Sequence, residues 1–162
     1  MLGSAHLDIR ERDLHSHDGL IFGRRIAINR RLTTKEKLCT LAEEVGHYQT
    51  SSGDILDQRL GINRKQELRA RMYGYDRLIG LAGLVNAFEA GCQTRYEIAD
   101  HLNITEQYLI DCLDAYRARY GVCIRHGQYV IYFVPRLIIG RSVTVDRAQK
   151  GVFYERRENE NV

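Results

Sequence analysis

Leu38, Leu41, Ala42 and Val45 recur at three- and four-residue intervals between Thr33-Thr34-Lys35-Glu36 and a break at Gly53-Asp54. Apolar residues at that spacing form one stripe of an α-helix. A threonine followed two or three residues later by a glutamate closes a helix's first turn. The spacing therefore predicts a helix over 34–50, and that helix carries the string Glu43-Glu44-Val45-Gly46-His47.

The segments on either side follow from the same rules. Residues 1–19 are polar and hold His6, His15 and His17, and the alternating stretch Leu20–Asn29 predicts a hairpin. Leu68, Met72, Tyr75 and Leu78 predict a second helix over 64–79, with Gly80 as its end or a bend. Leu81–Ala90 predicts a third helix, closed by Gly91. Arg95 to Leu109 reads as helix, tight turn and helix, with Thr105 as the second N-cap. Ile98, Ala99, Leu102, Ile104, Leu109 and Leu113 supply a small core there, and Val122–Val134 alternates around Gly127 as a two-stranded wing.

The expected fold is α+β: a small N-terminal sheet with a pair of site-bearing helices over 1–80, then a mainly helical winged-helix-like unit over 81–135. A tail over 136–162 keeps the apolar run Leu137-Ile138-Ile139 beyond Pro135 and ends in a charged segment expected to be disordered.

Composition removes several classes of function. No stretch approaches the roughly 18 apolar residues of a membrane-spanning helix, and the start lacks a basic-then-apolar signal pattern, so a cytoplasmic, membrane-free protein is expected. Cys39, Cys92, Cys112 and Cys123 form no C-x-x-C pair, which argues for reduced thiols over a zinc knuckle or a disulfide framework. A net charge of +3 is too small to imply nucleic-acid binding by itself. Oligomeric state is not legible.

Metal-dependent peptide hydrolysis on a helix uses ligands at i and i+4, one turn apart on one face, with a glutamate after the first as general base. Those places hold Glu43, His47 and Glu44. Carboxylate oxygen and imidazole nitrogen both bind zinc at about 2.0 to 2.2 Å, so Glu43 is chemically able to stand where histidine is usual. The extra negative charge lowers the acidity of a bound water and makes Mn2+ or Fe2+ more competitive with Zn2+. Glu67 on the next helix is the favoured third ligand, because Ala70 and Gly74 let the two helices approach. Asp54, Asp57, His6, His15 and His17 are rivals. The bland reading of the same residues is a solvated helix face, with Glu67 paired to Arg71 at i+4.

Leu41-Ala42-Glu43-Glu44-Val45-Gly46-His47-Tyr48 and Arg64-Lys65-Gln66-Glu67-Leu68-Arg69-Ala70-Arg71 resemble the ImmA/IrrE metallopeptidase family, over about residues 20–120. The likeness is strongest to members encoded on prophages and mobile elements of Gram-positive bacteria. The resemblance implies a metal-dependent endopeptidase acting as an anti-repressor, whose protein substrate is a helix-turn-helix repressor. It implies Glu43, His47 and Glu67 as metal ligands and Glu44 as the base that activates water. Glu43 departs from the family pattern, which has histidine there. Tyr48 and the N-terminal histidines are candidates for stabilising an oxyanion on position alone.

Two other functions compete. A winged-helix DNA-binding regulator would use residues 105–118 to read DNA, yet Glu106, Asp111 and Asp114 face only Arg117 there, and acidic helices are repelled by phosphate. A non-catalytic adaptor that grips the repressor is the other.

Overall fold

The computed structural model describes residues 7–50 and 64–142. The chain divides into two compact units, Met1–Leu78 and Ile79–Val162. It is α+β, as the patterning implies.

The first unit opens with three short strands, β1 (Asp8–Arg12), β2 (Gly19–Phe22) and β3 (Arg25–Asn29), in the order β1-β3-β2. The β2–β3 hairpin is the one expected from alternation, paired Gly19 to Ile28 through Phe22 to Arg25, with Gly23 at positive φ in its turn. β1 was not anticipated. It pairs in parallel with β3, Asp8 opposite Arg25 and Arg12 opposite Asn29, yet all five of its residues are exposed. An edge strand this charged resists pairing with other chains, and for the same reason carries no apolar alternation to reveal it. The loop from β1 to β2 is tied down by Asn29, whose Nδ2 donates to the carbonyls of Leu14 (2.8 Å) and His17 (3.2 Å).

Helix α1 (Thr34–Thr50) starts where a reciprocal cap holds it. Thr33 Oγ1 accepts from the Glu36 amide at 3.3 Å, and the Glu36 carboxylate accepts from the Thr33 amide at 2.7 Å. Its buried residues are Cys39, Ala42 and Gly46, and it packs on β2, β3 and α2 (Arg64–Leu78). Asp54 and Asp57 lie outside the described residues, as do His6 and the C-terminal segment after 142.

In the second unit, α3 (Gly80–Glu89) and α4 (Arg95–His101) precede α5 (Glu106–Tyr120). Thr94 and Glu97 form a full capping box on α4, Asn103 takes positive φ in the turn, and Thr105 caps α5 through the Tyr108 amide. Ile98, Ala99, Ile104 and Leu109 are buried in line with the sequence reading, whereas Leu102 and Leu113 are only half-buried. The hairpin of β4 (Cys123–His126) and β5 (Tyr129–Tyr132) turns at Gly127. A third strand, β6 (Ile138–Arg141), pairs with β5, so the apolar run after Pro135 has a place in the sheet.

Candidate metal centre

The approach of α1 to α2 is set by Gly46. A Cβ built there would lie 2.2 Å from the Ala70 carbonyl oxygen, and Ala70 itself is fully buried. Any side chain at Gly46 would push the helices apart. The small residue at Ala70 was legible in advance; its partner was not. A glycine inside a helix costs about 1 kcal/mol relative to alanine, which is the signal that could have marked Gly46.

This contact carries the neighbouring polar groups with it. His47 Nε2 stands 3.5 Å from Glu67 Oε2, and the other oxygen of Glu67 accepts a 2.8 Å hydrogen bond from Arg71 Nε. The Arg71 ion pair of the bland reading is thus present, on the same carboxylate whose other oxygen faces His47. Next to Glu44 lies Gly19, where a Cβ would come 2.7 Å from Glu44 Oε1 and 2.6 Å from Thr40 Cγ2. The missing side chain on β2 leaves the space that the Glu44 carboxyl fills, a relationship that sequence reasoning missed because nothing in the β2 pattern refers to α1.

Burial pushes the Glu44 carboxyl up to about 7, with the charges of Glu43 and Glu67 adding to it. The charges of Glu43 and Glu67 both reach the half-buried Glu44 carboxyl, a field that favours its holding a proton.

A tetrahedral ion with bonds of about 2.0 to 2.2 Å holds its ligands about 3.4 Å apart. The His47–Glu67 separation fits two such ligands, and an imidazole with carboxylates suits zinc, manganese or iron. Among the described residues no three of His, Cys, Asp and Glu gather as a ready metal set. Glu43 sits one turn before His47, half-buried, and its charge reaches Glu44. His15 and His17 are exposed in the β1–β2 loop, and Tyr48 is half-buried on α1.

The profile of the peptidase M78 family, described as the IrrE N-terminal-like domain, matches residues 4–117. The chain belongs to this family. A comparison with curated proteins gives no match. Membership in the IrrE N-terminal-like peptidases implies peptidase chemistry and a metal cofactor, and the match takes in β1, which precedes the span legible as family-like in the sequence. Among the described residues no helix is long and apolar enough to cross a membrane.

Proposed function

We propose that this IrrE-like protein is a metal-dependent endopeptidase that inactivates a helix-turn-helix repressor of a prophage or other mobile element. The observation that carries the reading is the juxtaposition of His47 and Glu67 across the Gly46–Ala70 contact, with Glu44 beside them.

Glu43, His47 and Glu67 would hold the metal, with zinc favoured and manganese or iron able to compete. Bound there, it would supply Lewis-acid polarisation of a water and of the scissile carbonyl. Glu44 supplies the proton transfer: a carboxyl titrating near neutrality accepts a proton from water and returns it to the departing amine. β2 offers the place for substrate. It is an uncharged edge strand with Leu20 and Phe22 exposed, and its first residue touches Glu44, so a peptide added along it runs past the base. In the second unit, Glu106, Asp111 and Asp114 are exposed along α5, which suits protein contact better than DNA.

The test is to incubate the purified, zinc-loaded protein with a host-cell extract and map newly formed N-termini by mass spectrometry. Wild type should generate a few cleavages in a DNA-binding repressor, absent with Glu44→Gln and after chelation. Cleavages that persist in Glu44→Gln would refute the assigned base. No cleavage at all, with the repressor retained on the protein, would make it an adaptor.

A further inference from the structure

α5 turns Ile110, Leu113, Asp114 and Arg117 to one side, where they meet Arg95 of α4 and the segment Pro135–Leu137 before β6 in an open groove of about 120 Å3. Ile110, Leu113 and Leu137 give it an apolar lining. Around them stand three guanidinium groups, Arg95, Arg117 and Arg136, against one carboxylate, Asp114. Arg117 is partly engaged, with Nη1 3.5 Å from Asp114 and Nε donating to the Phe133 carbonyl at 3.4 Å. Arg95 and Arg136 make no hydrogen bond or ion pair among the described residues.

We propose that this groove docks an acidic linear segment of a partner protein, seating one aliphatic side chain on the apolar lining with carboxylates on Arg95 and Arg136. Size decides the first half. The open groove's volume of about 120 Å3 is close to that of an apolar cavity of about 150 Å3 that holds a benzene ring, so its lining seats one side chain of a longer segment. Charge decides the second. A guanidinium group presents a fork that matches a carboxylate with two parallel hydrogen bonds, and the excess of three cations over one anion among the described lining residues is met by an acidic segment. A phosphate backbone would leave the apolar lining of Ile110, Leu113 and Leu137 uncovered, whereas an aliphatic side chain between carboxylates fills it. Every lining residue lies within the second unit, so the docking stands or falls separately from the metal centre.

The experiment is fluorescence anisotropy of a fluorescein-labelled peptide of alternating glutamate and leucine, titrated with the full chain in metal-free buffer. Wild type should bind it, and Arg95→Glu/Arg136→Glu should weaken binding at least about tenfold, as the reversal replaces two modest guanidinium–carboxylate attractions with two like-charge repulsions. The milder Arg95→Ala/Arg136→Ala, whose fold is checked by circular dichroism, should weaken it in the same direction. A peptide with glutamine for glutamate should not bind. No binding to wild type, binding to either double variant as tight as to wild type, or displacement of the peptide by duplex DNA would each overturn the proposal.

Discussion

Gly46 and Ala70 meet backbone to backbone: a Cβ on Gly46 would come within 2.2 Å of the Ala70 carbonyl oxygen. A carbonyl in a helix cannot step aside as a side chain can. In a free helix Gly→Ala gains about 1 kcal/mol from propensity, but overpacking against fixed backbone costs about 1–3 kcal/mol. Gly46→Ala is therefore expected to lower the melting temperature and to weaken metal binding together, because His47 and Glu67 separate with the helices. A rise in melting temperature would mean that α1 and α2 do not make this contact.

Gly19→Ala should behave differently. The atoms its Cβ would meet, Thr40 Cγ2 at 2.6 Å and Glu44 Oε1 at 2.7 Å, belong to side chains that can move. The expected stability change is under about 1 kcal/mol, while displacement of Glu44 by an ångström is expected to lower kcat about 100-fold. Thermal unfolding and peptidase assays on the same preparation separate the two effects; equal loss in both would make Gly19 a merely structural residue.

The contrast between these two glycines marks where sequence reading reaches. The helix over 34–50, the small residue at Ala70, the β2–β3 hairpin and the helix, turn, helix over 95–120 are written in periodicities and caps, which are local. β1 is not, because its Asp-Ile-Arg-Glu-Arg composition serves an exposed edge and its register is fixed by β3. Nor is the fit of Gly19 to Glu44, which depends on how a strand lies on a helix. The site residues Glu44, His47 and Glu67 were named from spacing and resemblance, whereas their distances are a product of packing.

The Glu44 carboxyl gives a pH dependence with a defined sign. Its ordinary value of 4.5 is pushed up to about 7 in the folded chain by burial and by Glu43 and Glu67. Between those values the unfolded chain has released the proton and the folded chain keeps it. The Glu44 contribution to the stability of the metal-free protein is thus fully present below pH 4.5, is lost as pH rises toward 7, and stays absent above it. Glu44→Gln removes that loss. The variant should be more stable than wild type by about 1–2 kcal/mol near pH 8, a value reduced for a half-buried, solvent-screened group, and equal to it in acid. Denaturant unfolding of both proteins at several pH values measures this; a difference independent of pH would assign the effect to something other than ionisation.

The caps respond in the opposite sense. The Glu97 carboxylate accepts from the Gln93 and Thr94 amides at 2.7 and 3.0 Å, which holds its pKa below the ordinary 4.5. Its contribution is present above pH 4.5 and is lost as pH falls through the lowered value. Thr94→Ala should destabilise the second unit by about 1 kcal/mol, and the hydrogen-exchange protection factors of α4, corrected for the intrinsic rate at each pH, should fall in Thr94→Ala and, as pH falls, in wild type.

Arg71 offers the sharpest test of how Glu67 is presented. It binds one carboxylate oxygen at 2.8 Å and leaves the other 3.5 Å from His47 Nε2. An arginine so placed could compete with a cation for Glu67 or could aim Glu67 at it. The division of labour between the two oxygens favours aiming, since the oxygen facing His47 is not the one Arg71 holds. Groups that orient a ligand from outside the metal's own shell are worth about 10–100-fold in affinity. Arg71→Ala should therefore weaken zinc binding by at least about tenfold in a competition titration with a chromophoric chelator, with Arg71→Lys in between and Glu67→Gln weaker still. Tighter binding in Arg71→Ala would reverse the assignment and make Arg71 a stand-in for the cation.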